Sequence, residues 1–375
     1  MSETGSIFLK HFGSIEDPRM DRQKRHKLVD IMAIAVCAAI AGADNWTEIA
    51  GFGRAKEQWF RGFLELPNGI PSHDTFGRVF SLLNPAHFEA AFREWVKAVQ
   101  GQLEGVVAVD GKTARRSHGK GGKGIHVVSA WSRENGLTLG QVAVEEKSNE
   151  ITAIPKLLRA LDLKGCLITV DAMGCQKDIA QCVLDQGADY LLAVKGNQER
   201  LAEDVETEFK HAMADGFAHM EHEYHETLEK DHGRIEKRQY WLTRDIGGLG
   251  TVEKWPGLSA MVMCRATRTV DGKTSVEDRY YITSAGGKGV AEIAAAVRAH
   301  WGIENSLHWV LDVAFNEDQS RIRTGHAAQN MNIVRKVALN AVRNNKTYKV
   351  GIKAKRKCAG WDHTYLEELL SQVVV

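Results

Sequence analysis

Val106-Val107-Ala108-Val109-Asp110-Gly111 is an apolar run that closes on an acid and a glycine, and Cys166-Leu167-Ile168-Thr169-Val170-Asp171 repeats the pattern. Short apolar runs bounded by turn residues read as buried strands. Between them, Ile125 to Trp131 and Leu137 to Val144 read as two further strands, with Glu134-Asn135-Gly136 as the turn. Ile151 to Leu161, Gln176 to Gln186 and Gln198 to Lys210 read as helices, and Tyr190 to Val194 as another strand. Three strands, then helix, strand, helix, strand imply an α/β fold: a mixed sheet flanked by helices.

Outward from this core the texture changes. The first hundred residues read as helices. Leu28 to Ala43 is closed by Asp44-Asn45, and Trp46 to Leu64 continues the pattern. Ser72 or Asp74 then caps a helix start, and His87 to Leu103 follows a break at Asn84-Pro85. Residues 211–288 carry strand patterns at Ile235 to Leu242, Ser259 to Arg268 and Arg279 to Thr283 with no long helix between them, so a β-rich insertion is expected. Residues 289–315 return to a helical pattern, and 326–375 read as a basic helical tail. The division expected is a helical N-terminal domain at 1–104, a core with its insertion at 105–325, and the tail.

The chain has 375 residues, 43% hydrophobic and 26% charged, enough for two or three domains at roughly 150 residues each. Such a composition excludes a disordered chain, a collagen-like chain and a small disulfide scaffold. With 49 Lys+Arg against 48 Asp+Glu, net charge points to no partner, so a nucleic-acid surface would need local segregation of charge. The six cysteines form no C-x-x-C pair and read as free thiols. The longest apolar run, Ile31 to Ala43, is too short to cross a bilayer, and no export signal is read at the N-terminus. A soluble, cytoplasmic protein with no membrane partner is expected.

Asp110 and Asp171 are the sharpest chemical features. Ligands of open α/β sheets sit beyond the carboxyl ends of the strands. Two carboxylates there repel unless a proton or cation is shared, and hard oxygen ligands favour Mg²⁺ or Mn²⁺. Either Asp alone reads first as a turn residue, and it is the two together in this strand order that point to a site. A third ligand is sought in Arg298-Ala299-His300-Trp301-Gly302-Ile303-Glu304-Asn305-Ser306-Leu307-His308-Trp309, where His300, Glu304 and His308 recur at four-residue spacing on one helical face. Gly111-Lys112-Thr113 is no P-loop, because Val106 stands where its first glycine is needed, and His222-Glu223-Tyr224-His225 is one residue short of a zinc-protease motif. Basic residues cluster at Arg19 to Lys27, from Lys112 through Arg115, Arg116 and Lys120 to Lys123, and between Ile333 and Gly360, where nine Lys/Arg meet no acid. Such patches suit phosphate contacts or a solvated face.

Taken together, these residues resemble the DDE transposases of bacterial insertion sequences, in particular the ISAs group with the H-repeat-associated proteins of Rhs elements. The resemblance rests on Asp17-Pro18-Arg19 with Arg25-His26, Pro71-Ser72-His73-Asp74-Thr75-Phe76, Val109-Asp110-Gly111-Lys112, Val170-Asp171-Ala172-Met173, Asp231-His232-Gly233-Arg234-Ile235-Glu236, and His300 through Asn305 on to Phe315 and Glu317-Asp318. It implies an RNase H-like catalytic core, interrupted by the β-rich insertion, with Asp110, Asp171 and Glu304 as catalytic and metal-binding triad. A related group carries Tyr, Arg and Lys at −7, −4 and +7 from the glutamate. Here those positions are Val297, His300 and Leu311, so those roles do not transfer, and Arg298 and Arg321 are the substitutes to consider.

The resemblance implies cleavage at element ends and strand transfer by two-metal phosphoryl transfer, with two Mg²⁺ or Mn²⁺ ions and Asp110 bridging them. It implies double-stranded DNA as partner, both terminal inverted repeats and target, and a homodimer or larger synapse in a bacterial, nucleoid-associated setting. The helical N-terminal domain is expected at the DNA ends. The DNA-binding set expected is Lys112, Arg115, Arg116, Lys120, Lys123, Arg234, Arg298, His300, His308 and Arg321. The competing expectations are a non-catalytic DNA-binding descendant and a plain Mg²⁺-dependent nuclease.

Overall fold

The structure is a computed structural model and describes residues 10–118, 124–145, 148–231, 233–250 and 254–372. The apolar runs form strands of one mixed sheet. β1 is Val106–Thr113, β2 His126–Ser132, β3 Leu137–Ala143, β4 Leu167–Val170 and β5 Asp189–Val194. The β-rich stretch adds β6 (Glu223–Asp231), β7 (Arg234–Thr243), β8 (Ala260–Val270) and β9 (Lys273–Thr283). The order across the sheet is β3-β2-β1-β4-β5-β9-β8-β7-β6. β1, β4 and β5 run parallel, whereas β9 joins β5 antiparallel and the last four strands form an antiparallel run. This is the mixed α/β architecture expected.

Two compact units divide the chain, and β1 contributes to both. One comprises Leu103–Asp110 and Glu146–Ile303. It holds the start of β1, strands β4 to β9 and four helices, labelled below in chain order. Its core is formed by Leu167, Leu191, Tyr240, Leu242, Val262 and Tyr281 of the sheet against Val290, Ile293, Ala296 and Val297. β6 is a strand that periodicity missed. Glu-Tyr-His-Glu-Thr-Leu-Glu-Lys-Asp has almost no apolar content because it is the edge strand, and charge on an edge discourages pairing with other chains.

The other unit comprises Met1–Gln102, Gly111–Glu145 and Glu304–Val375. Its helices at the N-terminal end are α1 (Leu28–Ile40), α2 (Trp46–Ala55), α3 (Glu57–Phe60), α4 (His73–Leu82) and α5 (Pro85–Gln100). Ser72 is the cap of α4, its hydroxyl accepting from the Thr75 amide at 3.3 Å. Asn84-Pro85 does not break the chain ahead of α5 but starts the helix. Asn84 accepts from the Ala86 amide, and Pro85 occupies the first turn, where its missing N–H costs nothing. The span from Trp46 to Leu64 is two helices rather than one.

The remaining helices are α6 (Glu150–Arg159), α7 (Lys177–Asp185), α8 (Glu199–Ala214) and α9 (Val290–Ile303) in the first unit. In the second they are α10 (Trp309–Phe315), α11 (Ala327–Arg343), α12 (Ile352–Trp361) and α13 (His363–Gln372). α1 is buried almost all round, as its apolar run requires, and α11 packs against it and against α4, α5 and β3. α11 is buried too despite its polar residues, several of which bond to neighbouring elements. Asn330 donates to the carbonyls of Phe80 and Leu83 at 2.8 Å each, and Asn340 exchanges two bonds with the Thr138 backbone. Among the described residues, no helix is long and apolar enough to cross a membrane.

Candidate active site

Parallel pairing sets the first two acids side by side. Val109 on β1 is in register with Val170 on β4, and Asp110 and Asp171 are the next residues of the two strands. They therefore start from chains roughly 4.8 Å apart and leave the sheet at the same end. β1 itself does not stop at Asp110. Its pairing with β4 ends at Val109, but the strand runs on to Thr113, and the Ala114 amide still donates to the Ile125 carbonyl at 2.9 Å. Only the fully buried stretch of β1 ends before Asp110, and apolarity registers that burial rather than the strand's length.

The turn after β4 orients Asp171. Its Oδ1 accepts from the Gly174 amide at 3.2 Å, so the side chain caps a single 3₁₀ turn, Ala172–Gly174. Gly174 is required here, because a Cβ would lie 2.2 Å from Val170 Cγ1. The turn is anchored by Asn197, whose amide donates to the Ala172 carbonyl at 2.5 Å, and by Gln198, which donates to the Cys175 carbonyl at 2.9 Å. In the same unit α9 lies on β4, and His300 Nδ1 sits 3.0 Å from the hydroxyl of Thr169, two residues before Asp171. Arg298 on α9 pairs with Glu229 of β6 at 3.4 Å, and the Arg279 guanidinium lies over the exposed Trp301 ring.

Glu304 follows α9 without interruption of the chain and opens a π-turn, Glu304–His308, before α10. π-turns are rare and concentrate at functional sites. Glu304 is exposed, whereas His308 is buried with its Nδ1 3.6 Å from Glu304 Oε2. In this unit the Lys112 ammonium meets Asp312 at 2.7 Å, Glu317 at 2.8 Å and Asp318 at 3.3 Å. Burial opposes charge on Glu317, but Lys112 and the nearby Arg335 outweigh it and hold the carboxyl below its ordinary range.

The basic residues divide sharply. Lys120 and Lys123 lie outside the described residues. Arg115 is exposed and pairs with Asp318 at 3.3 Å, Arg116 is exposed, and its carbonyl accepts from Arg323. Arg234 pairs with Glu236 at 3.1 Å, and Arg321 is exposed. The basic tail is not a solvated patch throughout: Arg335, Lys336, Lys355 and Arg356 are buried. Arg356 donates to the carbonyls of Ala39, Ala43 and Ala314 and to Asp44, and Lys355 to those of Val342, Arg343 and Asn345. These cations cap orphan carbonyls around helix ends, which a count of charges along the chain cannot reveal. Arg19 is likewise buried, on Asp17 and the His26 carbonyl, giving the Asp-Pro-Arg motif an internal role.

The oxygen donors of Asp110, Asp171 and Glu304 are the hard ligands that Mg²⁺ and Mn²⁺ prefer, and the pairing of β1 with β4 makes the first two natural co-ligands. The six free cysteines are not part of this chemistry: all but Cys358 are buried, and burial pushes the Cys37 and Cys175 thiols up to about 12. Sequence reasoning missed the contacts that Thr169, Gly174 and the acids around Lys112 make.

Residues 101–341 match the family described as Transposase DDE domain, and residues 9–96 match the family described as DDE_Tnp_1-associated. The chain is 45% identical to the putative transposase YncI of Escherichia coli O157:H7, over 97% of this chain and 94% of that protein. It is 40% identical to the H repeat-associated putative transposase YhhI of Escherichia coli strain K12, over 97% of each. A cryo-EM structure of the piggyBac transposase synaptic complex with hairpin DNA is 11% identical, with a TM-score of 0.43 over 100% of this chain and 78% of that one. With a family match across most of its length and relatives of this identity over nearly all of it, the chain belongs to the DDE transposase family.

Proposed function

We propose that this protein is a DNA transposase that cleaves at the ends of an insertion sequence and joins them to target DNA, with Asp110, Asp171 and Glu304 as its divalent-metal ligands. The observation that carries this reading is the register of β1 with β4, which delivers Asp110 and Asp171 from adjacent strands. The bond between His300 and Thr169, one helical turn ahead of Glu304, supports the third position. Two Mg²⁺ or Mn²⁺ ions held there would supply an activated nucleophile and neutralise charge on the scissile phosphate. The chain's own part would be to present three carboxylates to the metal: Asp110 just past the buried stretch of β1, Asp171 oriented by its capped turn, and Glu304 at the start of the π-turn. Arg115, Arg116, Arg298 and Arg321 are placed on the DNA backbone in this reading, so affinity for DNA falls steeply with salt. Two ends must be paired, so the active form is a dimer or larger.

The test uses labelled element ends, a target plasmid and Mg²⁺. Joined product supports the transposase, cleavage without joining supports a plain nuclease, and binding alone supports a non-catalytic descendant. Asp110→Asn, Asp171→Asn and Glu304→Gln are each expected to lower cleavage by about three orders of magnitude or more, the scale of several kcal/mol of lost charge stabilisation, while DNA binding persists. Normal cutting by Glu304→Gln removes Glu304 from the triad.

A further inference from the structure

Lys112 lies two residues beyond Asp110 on β1, so their side chains leave the strand on the same face. Its ammonium has three N–H donors, and three carboxylates take them: Asp312, Glu317 and Asp318. The Lys112 side chain is 15% exposed and that of Glu317 1%. Asn332 on α11 donates to the second oxygen of Glu317, and the Arg115 amide donates to Asp318 at 3.3 Å. A lysine so occupied is poorly available to a phosphate.

Asp312 sits eight residues past Glu304. In a regular α-helix eight residues leave two side chains roughly 80° apart around the axis. The π-turn at Glu304–His308 takes up one extra residue, which cuts the offset to roughly 20°. Glu304 and Asp312 therefore belong to one face of the segment, and Lys112 grips that face.

We infer that Lys112 is a positioning residue that fixes the Asp110 end of β1 against the Glu304-bearing helical segment through its clasp on Asp312, Glu317 and Asp318, and so presets the metal site. The inference rests on the metal-ligand reading given above. Removing the clasp keeps all three ligand side chains but frees their spacing, which is the signature of a support behind a metal ligand: affinity for the ion falls about 10- to 100-fold.

The experiment titrates the full-length chain with Mn²⁺ alone, followed by electron paramagnetic resonance, alongside duplex-DNA binding and the urea unfolding midpoint. Lys112→Gln is expected to weaken Mn²⁺ binding at least tenfold with duplex binding unchanged, and Lys112→Arg to restore most of it. Carboxylates freed by the substitution would bind more Mn²⁺, not less, so they cannot mimic this result. If Lys112→Gln does not fold, Asp318→Asn, which alters the longest contact of the clasp at 3.3 Å, is expected to weaken Mn²⁺ two- to fivefold. Unchanged Mn²⁺ affinity in a folded variant, or a loss confined to duplex binding, overturns the clasp. A wild-type chain that binds no Mn²⁺, or binding that survives Asp110→Asn, overturns the metal reading itself, and the clasp with it.

Discussion

The hydroxyl of Thr169 lies 3.0 Å from Nδ1 of His300, tying the middle of β4 to the last turn of α9. Thr169 is buried, two residues before Asp171, and His300 stands four residues before Glu304. One polar contact thus links two segments that each lead directly into a candidate ligand. His300 occupies the position at which a related group carries arginine, and here its ring contacts the sheet at Thr169.

Thr169→Val keeps the shape of the side chain and removes only that bond. A half-buried ring nitrogen then loses its partner, at a cost of about 1–2 kcal/mol. The urea midpoint is expected to fall accordingly and cleavage to drop about tenfold, with Thr169→Ser close to wild type. Wild-type cleavage in Thr169→Val would show that α9 is positioned by its apolar face alone.

Gly174→Ala places a methyl group 2.2 Å from Val170 Cγ1 and 3.1 Å from Ile154 Cδ1. The turn must shift, and the Gly174 amide that holds Asp171 shifts with it. Destabilisation of about 1–3 kcal/mol and a disproportionate loss of cleavage are expected. Gly196→Ala is the control, since its Cβ would meet nothing within 4 Å. Equal effects of the two on thermal unfolding would count against the crowding argument.

Lys336 is fully buried on α11, donating to Ser129 and Gln141 at 2.7 Å each. Burial pushes its ammonium down to about 7, only partly offset by Glu317 and Glu89. Between about pH 7 and 10.5 the unfolded chain binds the proton that the folded chain has released. Stability from this group therefore rises with pH across that window and is flat below it, with a slope of at most about 1.4 kcal/mol per pH unit. Subtracting Lys336→Met from wild type isolates the term. The difference in unfolding free energy is expected to move in favour of wild type from pH 7 to 10, and a difference independent of pH would show that Lys336 stays charged.

How much of this was legible differs from element to element. Val106 to Val109 and Leu167 to Val170 announce themselves because buried parallel strands are apolar on both faces. β6 does not, because an edge strand needs no apolar face and its charged residues read as loop. Asp110, Asp171 and Glu304 stood out by position and motif, but Lys112 was grouped with the basic loop that follows it. A lysine facing solvent and one gripped by three carboxylates look the same along the chain.

What the sequence alone determined is therefore local: where the apolar strands and most helices run, that a helix starts at Ser72 or Asp74, and which acids follow the buried strands. These depend on the periodicity of apolar residues and on side chains bonding to their own backbone neighbours. Tertiary structure alone decided that β4 lies beside β1, that four cations of the tail are buried, and that a π-turn shifts the phase between Glu304 and Asp312. Each of these depends on partners distant along the chain, such as Ser129 for Lys336 or Ala39 for Arg356, and burial of a charge is settled only when such partners arrive.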